Sequence, residues 1–130
     1  MKCAEAFAKC SSAERLKVGS VIVKNNRIIS CGYNALPSHI DGSCEVESEE
    51  GLVTRPEVRH SEINALYGLL KSTESSEGSV LFCTHQCCKF CAIDIVDAGI
   101  VSVYYRNTYG SDEGLDYLTS NGVKSYKLDY

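Results

Sequence analysis

Two β-rich runs, Val18 to Val23 and Arg27 to Tyr33, are separated only by Lys24-Asn25-Asn26. This spacing constrains the fold most. Adjacent asparagines tolerate the positive φ of a tight turn, so the two runs return on each other as an antiparallel hairpin. Strand and helix patterns then alternate. A strand over Ser79 to Thr84 follows Gly78, and a helix from about Cys88 to Ala98 stops at Gly99. Next come a strand over Ile100 to Tyr105, a short helix near Asp112 to Ser120 and a strand over Val123 to Leu128. A hairpin followed by such units predicts an α/β fold: a five-stranded mixed sheet with helices on both faces.

The remaining segments are read from their periodicity. Lys2 to Ser11 has a helical pattern that places Ala4, Phe7, Ala8 and Cys3 on one face. Residues 34–56 are irregular, with Pro37, Gly42, Gly51 and an acidic run from Glu45 to Glu50. They read as a solvated loop, or, by their length, as a lid or binding loop. Thr54-Arg55-Pro56-Glu57 has the form of a capping box with Pro in the first turn of a helix. Ile63, Leu66, Tyr67 and Leu70 give that helix its apolar stripe. There is no internal repeat and no low-complexity linker.

The chain of 130 residues, 44% apolar and 23% charged, is expected to form one domain, 1–130. No apolar run is long enough to span a bilayer, and the N-terminus lacks the apolar core of a signal peptide, so a cytoplasmic location is expected. In a reducing compartment, eight cysteines suggest metal binding rather than a disulfide framework. Cys3, Cys31 and Cys83 lie in apolar stretches and are expected to be small buried residues. A net charge of −4 and a pI near 5.3 disfavour a grip on a long polyanion, and favour a small substrate over duplex or transfer RNA.

Two fragments carry chemistry: His60-Ser61-Glu62 and Cys88-Lys89-Phe90-Cys91. A Cys-x-x-Cys pair alone is shared by redox motifs and structural zinc sites. Here both fragments fall at predicted helix starts. One imidazole and two thiolates make an open tetrahedral zinc site whose fourth position can hold water. A structural site would need a fourth protein ligand, and neither fragment has an obvious one beside it. Two thiolates cancel the formal charge of zinc, so the metal acidifies its water weakly, and a carboxylate must take the proton. Residues at i and i+2 do not share a helix face. His60 and Glu62 therefore suit a ligand and a separate acid/base.

His60-x-Glu62 with the downstream Cys88-x-x-Cys91 resembles the zinc-dependent cytidine/deoxycytidylate deaminase superfamily, whose signature has this form. The resemblance implies the three-layer α-β-α fold of that family, with His60, Cys88 and Cys91 as Zn2+ ligands. It also implies zinc-bound hydroxide attacking C4 of a pyrimidine, with Glu62 protonating N3 and then the departing amine. Gly32-Tyr33-Asn34-x-x-Pro37 and His60-Ser61-Glu62-Ile63-Asn64-Ala65 are similar to the deoxycytidylate branch. On that branch Asn34 contacts the sugar, Tyr109 borders or stacks on the base, and Tyr105 completes an aromatic pair. Asn34 also reads as a plain turn residue and Tyr105 as a packing residue.

Three positions depart from the family pattern. Cys87 replaces the Pro before the first ligand cysteine and can itself compete for metal; the spacing selects Cys88, with His85 and Cys87 as neighbouring alternatives. Ala35 replaces a loop Gly. Ser61 replaces Ala, which implies an added hydrogen bond to substrate. A second zinc on Cys10 and Cys44, with His39 and Glu57 as further candidates, is a family variation. The alternative is Cys10 in the core and Cys44 a free loop thiol. The resemblance also implies a homohexamer activated by dCTP and inhibited by dTTP with Mg2+, through Gly32, Tyr33, Asn34 and Asn64. The chain's compactness resembles that of viral members, implying the host cytoplasm and a role in supplying deoxyuridylate. Lys17, Lys24, Arg27 and Arg106 are candidates for the 5′-phosphate. Deamination of a nucleic-acid or other nucleobase, and a non-catalytic zinc-stabilised binding module, are the competing readings.

Overall fold

The computed structural model describes residues 1–129. Its elements run α1 (Lys2–Ala8), β1 (Gly19–Lys24), β2 (Arg27–Tyr33), β3 (Glu45–Ser48), β4 (Gly51–Thr54), α2 (Ser61–Gly68), a 3-10 turn (Leu69–Lys71) and β5 (Val80–His85). Then follow α3 (Lys89–Asp97), β6 (Ser102–Asn107), α4 (Glu113–Ser120) and β7 (Lys124–Lys127). Five strands form one mixed sheet in the order β2-β1-β5-β6-β7, as the alternation predicts. β1 is antiparallel to β2 and β5, whereas β5, β6 and β7 run parallel. Among the described residues, no helix is long and apolar enough to cross a membrane.

The hairpin forms as expected. Lys24 pairs with Arg27, and Asn25 and Asn26 both take positive φ, 52° and 62°, which is the geometry of a two-residue turn that matches strand twist. A register shift between Ile22 and Val23 puts a bulge in the pair. Side chains alternate across β1, so Gly19 abuts α1 while Ser20 and Gly32, paired with each other, face α2 on the other side. On that second face Ile22, Leu81 and Val103 of the sheet pack against Ala65, Leu69, Ala92, Ile95 and Leu118. Each fully buried Ile or Leu stabilises by roughly 1.5–3 kcal/mol, which fixes α2 and α3 on the sheet. Arg106 of β6 reaches Glu5 of α1 at 2.6 Å, tying that helix to the opposite face.

Four local expectations need correction. The stretch 34–56 contains a second hairpin, β3–β4, with Gly51 at φ 97° after the turn. Thr54-Arg55-Pro56-Glu57 does not cap a helix: Thr54 belongs to β4, and Arg55 pairs with Glu57 at 3.2 Å within a turn. α2 starts only at Ser61, because Arg59 is held extended by two backbone bonds to Ala35. The stripe on α2 is also rotated. Ser61, Glu62, Ala65 and Leu69 are buried, while Tyr67 and Leu70 face outward. Finally, Cys83 is buried as expected, but Cys3 and Cys31 are exposed, Cys31 because β2 is an edge strand.

Candidate active site

The carboxyl ends of β2, β5 and β6 and the amino ends of α2 and α3 meet at one edge of the sheet, the usual place for a ligand in an open α/β sheet. A cavity of about 390 Å³ opens there. His60 is the N-cap of α2 and Cys88 the N-cap of α3, each with extended backbone, and Cys91 sits in the first turn of α3. The helix starts therefore aim all three side chains at one point. His60 Nδ1 lies 3.2 Å from Cys91 Sγ and 3.6 Å from Cys88 Sγ. Tetrahedral zinc with ordinary bond lengths would set nitrogen–sulfur edges of about 3.5 Å. The donor set and spacing fit that ion. Among the described residues this is the one group of His, Cys, Asp and Glu close enough to share a metal.

The protons in this cluster are distributed unevenly. The Cys91 thiol and the His60 ring, both hydrogen-bonded to Cys88, hold its thiol down at about 3, so it is a thiolate. Cys91 is pushed well up, first by donating to Cys88 and then by burial, so it keeps its proton. His60 is raised by its bond to Cys88. Cys87, the competing ligand, instead turns into the hydrophobic core, where burial lifts it to about 12. Cys88, and not Cys87, clusters with His60 and Cys91. His85 lines the cavity, lowered by burial and edge-on to Tyr109 with ring centroids 6.1 Å apart.

Glu62 is only 3% exposed and lines the same cavity. Its Oε1 accepts hydrogen bonds from Ser61 Oγ at 2.6 Å and Cys83 Sγ at 3.4 Å. The other sequence candidates are distributed as follows. Ser61 borders the cavity but is fully buried, and its hydroxyl donates to Glu62. Asn34 lines the cavity, but its carboxamide is engaged, accepting from Val18 N at 2.9 Å and donating to Leu16 O at 2.7 Å. Tyr109 lines the cavity and is exposed. Tyr105 is buried in β6 and does not line it. Asn64 donates to Tyr33 O at 2.8 Å. Gly32 has a packing reason for its identity, since a Cβ there would meet Ser61 O at 2.4 Å. Cys10 is exposed at the end of α1 while Cys44 is buried beside Ser12, and neither joins His39 or Glu57 in a metal-sized cluster.

Arg15 and Glu45 were missed. None of Lys17, Lys24, Arg27 and Arg106 lines the cavity; among the described residues, Arg15 is the one Lys or Arg that does. Its Nη1 donates to Thr54 Oγ1 at 3.2 Å. Glu45 Oε2 accepts from the backbone N–H of Glu14 and Arg15 at 2.9 and 3.0 Å, pinning the segment that presents the guanidinium. Hairpin register held a signal for Arg15. Gly19 pairs with Tyr33, so residues just before β1 must lie beside residues just after β2, where Asn34 stands.

Residues 1–107 match the family model described as the cytidine and deoxycytidylate deaminase zinc-binding region. The chain belongs to this family. It is similar in structure to the dCMP deaminase of cyanophage S-TIM5 solved in complex with dCMP and dUMP: 44% identity, TM-score 0.92, covering 98% of this chain and 92% of that one. It is 34% identical over 101 residues to an uncharacterized deaminase of Aliivibrio fischeri, covering 78% of this chain. It is 31% identical over 119 residues to deoxycytidylate deaminase of Saccharomyces cerevisiae, covering 87% of this chain. The chain spans 65% and 38% of the lengths of these two relatives.

Proposed function

We propose that this chain removes the 4-amino group of deoxycytidine monophosphate, giving deoxyuridine monophosphate and ammonia, with residues 1–130 as one catalytic domain. The observation that carries the reading is a cavity lined by His60, Cys88, Glu62 and Arg15, with Cys91 clustered against His60 and Cys88 at its wall. Likeness to a phage enzyme solved with dCMP and dUMP supports the substrate.

Zinc, when bound, supplies the Lewis acidity that makes water a nucleophile at neutral pH. His60, Cys88 and Cys91 would hold it on three sides. Glu62 accepts the proton released by the attacking water and delivers it to N3 of the base. The same carboxyl then takes the remaining proton from the hydroxyl now on C4 and passes it to the departing amine, so that the C–N bond breaks as the carbonyl forms. Burial shields that carboxyl from exchange with bulk solvent. Asn34 borders the sugar, and Tyr109, set against His85, covers the base. Arg15 supplies the cation for the 5′-phosphate, a role its forked donors suit.

Regulation is the finer part of the proposal: a homohexamer activated by dCTP and inhibited by dTTP, with Mg2+ on the triphosphate. Support comes from the bond between Asn64 and Tyr33 O, which links α2 to the backbone one residue from Asn34. A nucleotide held there would act on the sugar subsite. The acidic net charge and the small cavity favour free nucleotide over nucleic acid or a membrane surface. We place the reaction in the cytoplasm, the host's if the chain is viral.

Ammonia release measured on dCMP, CMP, deoxycytidine, deoxyadenylate and a cytosine-containing oligonucleotide tests the reading. dCMP should react fastest, and Arg15→Gln should raise its KM about tenfold or more while leaving deoxycytidine unaffected. Preference for deoxycytidine or the oligonucleotide would contradict it.

A further inference from the structure

Ser61 has a use other than touching substrate. It is 0% exposed, and its Oγ stands 2.6 Å from Glu62 Oε1 and 2.7 Å from Ser20 Oγ. A hydroxyl has a single proton to give. With the Ser61 proton on the carboxylate, Ser20 must direct its own to Ser61 Oγ. Ser20 is also fully buried and sits on β1, which is hydrogen-bonded on both sides to β2 and β5. Cys83 of β5, Ser20's partner across the strands, donates to the same Oε1 at 3.4 Å. Burial keeps that sulfur protonated and able to donate.

Both hydrogen bonds thus fall on one oxygen of Glu62, and both trace back to interior strands. Rotation of the carboxylate is thereby restrained by the sheet. We propose that Ser61, backed by Ser20, is a positioning residue that locks Glu62 in its proton-transfer geometry. The inference rests on the deaminase reading for its kinetic consequence; the contact itself does not.

Two thermodynamic cycles test it, built from Ser61→Ala, Glu62→Gln and the double variant, with Ser20→Ala as a second probe. In the kinetic cycle on dCMP, Ser61→Ala should lower kcat roughly tenfold with KM within about twofold, because misplacing a reacting group costs rate rather than binding. Ser20→Ala should lower kcat in the same direction by less. In the Glu62→Gln background, Ser61→Ala should cause no further loss of residual rate. Zinc stoichiometry should equal that of the parent throughout. In the stability cycle, the Tm loss of the double variant should be smaller than the sum of the single losses. Additive Tm losses, equal rate losses in both backgrounds, or a raised KM with unchanged kcat would each overturn the positioning role. A parent protein that fails to deaminate dCMP would sink the substrate reading, while the stability cycle would still decide the contact.

Discussion

Gly32→Ala puts the link between fold and site to a direct test. An added Cβ would stand 2.4 Å from Ser61 O, 2.5 Å from Ala65 N and 3.1 Å from Ala65 Cα. All three are backbone atoms of α2, so no side chain can swing away. Ordinary contact to carbon begins near 3.5 Å, so the helix must retreat from β2 by about 1 Å. Overpacking of this kind costs about 1–3 kcal/mol. For a chain of this size that lowers Tm by roughly 4–11 °C. The retreat also carries His60, the N-cap of α2, away from Cys88 and Cys91 on α3. Metal sites hold their ligands to within about 0.2 Å, so zinc affinity should fall along with stability. The assay is thermal unfolding with and without zinc, plus a competitive zinc titration. Gly68→Ala on the same helix is the control, because only the Ser30 side-chain hydroxyl stands within 3 Å of its added Cβ. Gly32→Ala with the parent's Tm and zinc affinity would refute the reasoning.

Three further outcomes follow from the proton and hydrogen-bond arrangement. In zinc-free protein, Cys88 is a thiolate down to about pH 3 and Cys87 stays protonated up to about 12, so iodoacetamide at pH 6 should label Cys88 and spare Cys87 until the chain unfolds; equal labelling in mass-mapped peptides would contradict this. Because Cys91 and His60 are both raised, zinc must displace protons, and its affinity should climb as pH rises through neutrality; a flat titration between pH 6 and 8 would count against it. Glu45→Ala frees the Glu14 and Arg15 N–H groups and should raise KM for dCMP by about tenfold with kcat little changed; an unchanged KM would detach this segment from the phosphate.

The parts of the fold legible in the sequence are those where one local rule dominates. Asn25-Asn26 between two apolar runs leaves the chain little besides a two-residue turn, and Gly99 at φ 77° ends α3 where the pattern stops. The cluster of His60, Cys88 and Cys91 was legible because each is fixed by its place at a helix start, not by long-range packing. β3 and β4 were hidden because their strands are four residues each and carry Glu45, Glu47 and Ser48, residues poor in strand propensity. Their pairing comes from the turn and from Glu45 gripping the Glu14–Arg15 backbone, a contact about 30 residues away in sequence. The capping box misled because Ala35 holds the Arg59 backbone in an isolated bridge. The orientation of Ser61 depended on Ser20 and Cys83, which only the sheet register brings beside it. Likewise, apolar neighbours in sequence could not tell that Cys31 lies on an edge strand.

Zinc-edge X-ray absorption of the loaded protein tests the central claim most directly. One imidazole nitrogen, two sulfurs near 2.3 Å and one further light atom should account for the first coordination shell. Three or four sulfurs, or a protein that retains no zinc after loading and gel filtration, would contradict a site made of His60, Cys88 and Cys91 with one corner open to the cavity.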